Sequence, residues 1–403
     1  MELLAPAGDM ERLTMVLHYG ADAVYLAGHR FGMRAAAGNF SIPELRQAVD
    51  MSHRQGTKVY VACNSMLHNE EIAQLPDFLE QVADAGADAL IITDPGVMEL
   101  AKKYAPGMDL HISTQAGIVN YMSARMFHDM GAKRVILARE LTLEEIREIR
   151  DKTPADLEIE AFGHGSMCVS FSGRCLLSNY LAGRDANRGA CAQPCRWKYH
   201  LVEEKRPGEY LEISEDGGTH IMNSRDMCMI DHIPEMMQAG ISSLKIEGRM
   251  KSAYYAAVVT NAYRHAIDSA LRGAPADPVW LDEVNKVSHR EYSTGFFFDK
   301  EGPGQYYSDA SYFYDAEVCA VVESCTEQGG AVLTQRNKFS RGDVLELMTR
   351  DRKPARFTVD EIFDGEGTPI ESAPHPMMEL RMQLPFPCEK YSILRRLCKN
   401  ERK

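Results

Sequence analysis

No stretch of the 403 residues approaches the ~20 consecutive apolar side chains that a membrane-spanning helix needs, so none is expected. The opening MELLAPAGD lacks a basic start and a long apolar run, and no signal peptide is expected. Positive charge is also scarce. Lys and Arg total 45 against 58 for Asp and Glu, a net charge of −13. That balance excludes a general coating of nucleic acid or anionic membrane, but it leaves room for a local basic patch. Three motifs are missing as well. There is no GxGxxG after the first apolar run to mark a dinucleotide site, no HExxH helix for zinc, and no GxSxG elbow.

Cysteine is abundant. The expected compartment is the cytoplasm, where thiols stay reduced, so ten cysteines point to metal or redox chemistry before disulfides. Four of them, Cys168, Cys175, Cys191 and Cys195, fall in one Gly- and Arg-rich stretch with the spacing C-x6-C-x15-C-x3-C. Cys228 follows after 32 more residues. Structural zinc usually uses paired C-x2-C knuckles, which are not seen here. Iron–sulfur clusters take soft thiolates in sets of four at more varied spacing, and they are the preferred reading over zinc and over packing. If Asp226 is a helix N-cap, Cys228 sits in the first turn, where free N–H groups and the helix dipole favour a thiolate. Cys63, Cys319, Cys325, Cys388 and Cys398 each stand alone and read as core thiols.

The first two-thirds of the chain repeats one unit. Eight apolar runs, at 2–8, 22–28, 58–64, 89–94, 110–115, 134–139, 157–163 and 243–249, are rich in Val, Ile and Leu without strict alternation. Parallel strands buried on both faces read this way. Between them lie helix signals. Ser41 with Glu44, and Thr142 with Glu145, form capping boxes, and Asp94 precedes Pro95 as cap and first helical residue. Gly20, Gly86, Gly131 and Gly240 mark helix ends. The expected fold is α/β, a (β/α)8 TIM-like barrel over 1–272, with an open doubly wound sheet as the alternative.

A Cys-rich insertion at about 163–225 interrupts the repeat and should lie at the barrel's C-terminal face. A strand in HIMNSRDM, then the helix that Asp226 would cap, should follow it, and a second helix should span about 251–272. Residues 273–310 read as a linker and joint. A small C-terminal antiparallel β domain is expected over 311–403.

The run Glu160-Ala161-Phe162, then Gly165-Ser166-Met167-Cys168, then Gly173-Arg174-Cys175-Leu176-Leu177-Ser178, resembles the signature of the U32, or collagenase-like, peptidase family. LLAPAGD, FGMRAAAGNF, SLKIEGRMKS and NKFSRGDVLEL are also similar to that family, and the likeness covers essentially the whole chain. Better understood members are cytoplasmic RNA- and ubiquinone-hydroxylation proteins. The resemblance therefore implies a 4Fe-4S cluster and oxygen-independent hydroxylation, with prephenate as co-substrate in the RNA branch. It implies tRNA as partner, 5-hydroxylation of a wobble uridine as the activity, and a paralogous family member as a second partner. The family ligands map onto Cys168, Cys175, Cys191 and Cys228, with Cys195 as the alternative to Cys191. Peptide cleavage, and hydroxylation of ribosomal RNA or a quinone precursor, stand as alternatives.

Residues at the C-terminal ends of the strands are the site candidates. Glu160, His164, Lys245 and Glu247 are the catalytic ones. Arg34, Asn64, Gln115, Arg139 and Arg249 are expected to bind substrate, the three arginines by gripping the carboxylates of prephenate. An ion pair within the group Glu160, Lys245, Glu247 and Arg249 is the structural alternative. For RNA, the basic candidates are Arg184, Arg188, Arg196 and Lys198 near the cysteines, then Lys338, Arg341 and the tail RRLCKNERK. Nine aromatics between Tyr292 and Tyr314 are either stacking surfaces or the core joining two domains.

Overall fold

A computed structural model describes residues 1–34, 38–197, 223–300, 302, 304 and 314–398. Eight parallel strands close into a barrel. They are β1 (Glu2–Pro6), β2 (Ala23–Leu26), β3 (Lys58–Cys63), β4 (Ala89–Ile92), β5 (Asp109–Ile112), β6 (Arg134–Ile136), β7 (Glu158–Ser166) and, after an extra strand β8 (Asp226–Cys228), β9 (Ser243–Ile246). Each pairs with the next, and β9 closes the ring by pairing with both β1 and β7. Every expected apolar run is one of these strands. Helices lie between them, and the local signals hold: Ser41 and Thr142 cap through complete capping boxes, and Asp94 accepts from the N–H groups of Gly96 and Val97. The four helix-end glycines all have positive φ.

β7 is the exception, at nine residues. Its first half lies in the barrel, beside β6 and β9. A register shift falls between Phe162 and His164. Beyond it the strand runs past the rim and pairs antiparallel with β8, His164 opposite Cys228 and Ser166 opposite Asp226. Gly165 makes the exit, with φ of 112°, and a Cβ there would stand 2.4 Å from the Glu247 carbonyl oxygen. Only glycine tolerates both. The chain thus leaves the barrel's C-terminal face directly into the cysteine segment.

Asp226 departs from expectation. It is not a helix cap but a strand residue, buried against Arg290, whose backbone N–H (3.1 Å) and Nε (3.0 Å) both bond the carboxylate. Burial works to raise its pKa, but Arg290 and Lys251 outweigh that and hold it below the usual carboxylate range. Much of the polar stretch of the insertion, with Lys198, lies outside the described residues, as do 399–403 of the tail.

The helix Ala253–Leu271 packs along the barrel. The segment read as a joint is folded onto the same core: Trp280, Val284, Val287 and Phe297 belong to it, and Tyr292–Ser293 pairs with β8. From Ala316 an eight-stranded antiparallel sheet follows, with a core of its own built on residues such as Cys319, Leu333, Leu347 and Leu394. Arg395, in its last strand, is fully buried and donates to Glu346 in the sheet (2.9 Å) and Glu283 on the barrel side (2.6 Å). The positive tail expected at this end is therefore internally neutralised at Arg395. Arg396 likewise pairs with Glu317 and Asp343.

Candidate functional site

The barrel interior is ionic at its lower level. Glu160, with no solvent exposure, accepts from Lys245 Nζ at 2.9 Å and from Arg134 Nη1 at 2.9 Å. Arg134 also bridges Glu2 and Glu158, both at 2.6 Å, and Tyr60 donates to Glu2. Burying such charges is favourable only when they are paired and hydrogen-bonded, and here they are. Of the sequence candidates, Glu160 and Lys245 realise the structural ion pair. Arg134 and Glu2 were missed. Their signal was a charged residue inside an otherwise apolar run.

Above this level opens a cavity of about 610 Å³ at the C-terminal mouth. Arg34, Asn64, Gln115, Arg139, Lys245, Glu247 and Arg249 all line it, and so do Cys168, Cys175, Cys191 and Cys195. Glu247 is its anionic centre. Arg34 Nη2 stands 3.6 Å away and Arg139 Nη2 3.9 Å. Burial works to raise its pKa. Arg34, Arg139, Arg249 and Lys245 outweigh that and hold it below its ordinary range. Arg139 is fixed by a 2.9 Å bond to the Ser166 carbonyl, and its guanidinium lies 3.8 Å from the Phe162 ring centroid. Arg249 bonds Asn39 Oδ1 and the Arg34 carbonyl, and burial lowers its pKa to about 10. The Nε groups of Arg139 and Arg249 and the Oε1 of Gln115 are buried without a hydrogen-bond partner. Unmet buried polar atoms are costly unless a ligand or an ordered water completes them. Asn64 is satisfied, by Ser113 and the Met33 N–H.

The cysteine segment wraps the mouth. Three of its thiols accept a backbone N–H from two residues further on: Ser170 to Cys168 (3.4 Å), Leu177 to Cys175 (3.3 Å) and Gln193 to Cys191 (3.4 Å). Such N–H···S contacts stabilise thiolate and are usual around sulfur-ligated cofactors. The Cys195 thiol is pushed up by burial, and the neighbouring Cys168, Cys191 and Cys175 add to this while Arg196 opposes it. Arg196 ties the segment to the rim through the Met167 and Ser224 carbonyls. Among the described residues, no three His, Cys, Asp or Glu side chains converge as they would on a single metal ion.

Cys228 and His164 are placed elsewhere. The Cys228 thiol, receiving a 3.7 Å bond from the Tyr263 hydroxyl, is pushed up to about 11 by burial, not lowered by a helix start. His164 lies between the hydroxyls of Tyr263 (3.2 Å) and Tyr292 (3.5 Å), and burial lowers its pKa to about 3. Neither lines the cavity. Cys195 thus lines the cavity with Cys168, Cys175 and Cys191, whereas Cys228 and His164 sit against Tyr263. The thiols of Cys63 and Cys319 are buried and raised to about 12, as core thiols should be.

The RNA candidates divide. Arg188 is engaged with Glu71 and Glu70, while Arg184, Lys338 and Arg341 are exposed. Among the aromatics, Phe297 is core and Phe298 is exposed. Tyr306, Tyr307, Tyr312 and Phe313 lie outside the described residues. Among the described residues no helix is long and apolar enough to cross a membrane.

Comparison with known proteins follows the same outline. Residues 8–306 match the model described as Peptidase family U32, and residues 315–395 match that of the Peptidase family U32 C-terminal domain. The chain is 37% identical over 395 residues, 95% of itself and 92% of the other, to the tRNA hydroxylation protein P1 of Bacillus subtilis (strain 168). It is 42% identical over 358 residues, 86% of each chain, to a protein named as an uncharacterized protease in Methanocaldococcus jannaschii. It is 33% identical over 359 residues, 87% of itself and 53% of the other, to the 23S rRNA 5-hydroxycytidine synthase of Escherichia coli (strain K12). The chain belongs to peptidase family U32.

Proposed function

We propose that this protein hydroxylates RNA in the cytoplasm, without molecular oxygen, and that its target is C5 of the tRNA wobble uridine. The observation that carries the proposal is the joining of two chemistries in one cavity. Four thiols line it together with Glu247 and three arginines, two of which stand 3.6 and 3.9 Å from the Glu247 carboxylate. Relatives named for tRNA and rRNA hydroxylation support the substrate class.

The thiol set fits a 4Fe-4S cluster held by Cys168, Cys175, Cys191 and Cys195. The four donors of one zinc ion meet around a single metal at about 2.3 Å, whereas a four-iron cluster takes each thiolate on a different iron and needs the sulfurs spread around it. Four thiols line the cavity together, and three of them accept backbone N–H groups as cluster-ligating thiolates commonly do. When bound, the cluster supplies electron transfer or Lewis acidity beside the target base.

The chain's own residues do the rest. Arg34, Arg139 and Arg249 hold the two carboxylates of prephenate, the proposed co-substrate. Gln115 offers an unmet amide oxygen to an N–H of the base. Glu247, kept ionised by its neighbours, is placed to take the proton leaving C5. Peptide hydrolysis finds less support, because His164 is held between the hydroxyls of Tyr263 and Tyr292 and does not line the cavity.

Nucleoside mass spectrometry of tRNA from a deletion strain, with and without the restored gene, tests the proposal. Loss of 5-hydroxyuridine derivatives and their return on complementation is expected. An unchanged profile in a strain without a second family member rejects it.

A further inference from the structure

The cysteine segment carries more than thiols. Of the 14 large apolar side chains exposed among the described residues, six lie within 169–197: Val169, Phe171, Leu176, Tyr180, Leu181 and Trp197. Phe171 is 49% exposed, Tyr180 77% and Trp197 42%. Exposed apolar residues scattered singly need no explanation, but six in one short segment that also lines the cavity do. The segment is also basic. Described residues 163–197 hold four arginines (174, 184, 188 and 196) and one acidic residue, Asp185, a net +3 in a chain of net −13. Arg174 and Arg184 are exposed, each fixed by its Nε to a backbone carbonyl, Gln115 and Ala190 respectively. Asp185 is turned to the Asn187 N–H within its own turn.

We infer that this rim, with Phe171, Tyr180 and Trp197 as its rings and Arg174 and Arg184 as its cations, holds the unpaired nucleotides on either side of the base that enters the cavity. The inference rests on the RNA reading of the cavity and deepens it. Aromatic faces interleaved with guanidiniums match single-stranded RNA, whose bases stack and whose phosphates pair with arginine. A protein partner of this acidic chain's own kind would meet the arginines too, but it would leave three part-exposed rings without stacked planar groups. Continuity also favours RNA. Val169 and Leu177 line the cavity itself, so the rim and the site form one surface.

The test uses the full chain, purified anaerobically, and a fluorescently labelled anticodon stem-loop. Each of Phe171→Ala and Tyr180→Ala is expected to weaken binding about tenfold or more, while Tyr180→Phe, which keeps the ring, binds as wild type. Arg184→Ala is expected to lower the slope of affinity against salt. Iron content and melting temperature, unchanged in all four variants, show that the fold and site are intact. Stem-loop binding unaffected by ring removal overturns the inference. So does a ring-dependent change in sedimentation without one in RNA affinity, which would assign the rim to a protein partner. The two proposals separate cleanly. Wild-type tRNA modification with ring-independent binding leaves the function standing and removes the rim. Ring-dependent binding with an unchanged tRNA profile does the reverse.

Discussion

Lys245 Nζ donates to Glu160 Oε1 at 2.9 Å in the middle of the barrel, with side chains 5% and 0% exposed. Arg134 completes the pair from below. Glu160→Gln would leave both cations short of a counter-charge away from water, and a loss of about 3–5 kcal/mol in unfolding free energy is expected. Glu160→Gln with Lys245→Met should recover part of it. Denaturant titration reads both. A single variant within 0.5 kcal/mol of wild type would show that the pair contributes no such stability.

Glu247 lies two residues beyond Lys245, and the part proposed for it is chemical. Its neighbours Arg34 and Arg139 are 3.6 and 3.9 Å away, loose enough to accept another anion between them. Glu247→Gln is expected to reduce hydroxylation about a hundredfold or more, as loss of a proton acceptor does, with a melting temperature near wild type. Equal turnover in the variant would remove Glu247 from the chemistry.

The cysteines give a sharper contrast. Serine at Cys168, Cys175, Cys191 or Cys195 should each abolish the iron and sulfide content of anaerobically purified protein and its visible absorption. Serine at Cys228 should leave them in place, because that thiol is buried with Tyr263 and off the cavity. Iron lost from the Cys228 variant and kept in the Cys195 variant would reverse the assignment.

His164 predicts a pH effect. Its folded pKa, about 3, is below the ordinary 6.5 because burial opposes the charged ring. The unfolded chain therefore binds the proton first. Stability from this residue is full above about pH 6.5 and falls by up to about 1.4 kcal/mol per pH unit below it, down to pH near 3. His164→Gln should be less stable at pH 7, having lost ring packing, but flatter between pH 6 and 4. Parallel curves for the two proteins would show that another group sets the acid response.

Much of the architecture was legible because its signals are local. Parallel strands buried on both faces read as unbroken apolar runs, and LHISTQ and RVILAR could be placed without tertiary knowledge. The caps at Ser41, Asp94 and Thr142 each close within four consecutive residues, so their chemistry is written locally. The thiols from Cys168 to Cys195 share one short segment, which is why they stood out.

What failed was facing. Glu160 and Phe162 point into the barrel, and strict alternation would send His164 there too. The register shift after Phe162 turns it outward, since one residue of slip moves every later side chain to the other face. Asp226 looked like a cap because Asp often is one. Pairing with the overhanging end of β7 made it a strand instead.

From its own letters the chain determined the strands and the helix ends between them, settled by interactions among residues a few positions apart, and it placed four cysteines in one segment. Tertiary pairing alone decided that Cys195 lines the cavity while Cys228 lies off it, that Glu160 is paired with Lys245 and Arg134 below it, and that the tail's Arg395 is internal. Those outcomes depend on which distant segment lies opposite, and burial makes charge and thiol chemistry answer to that neighbour.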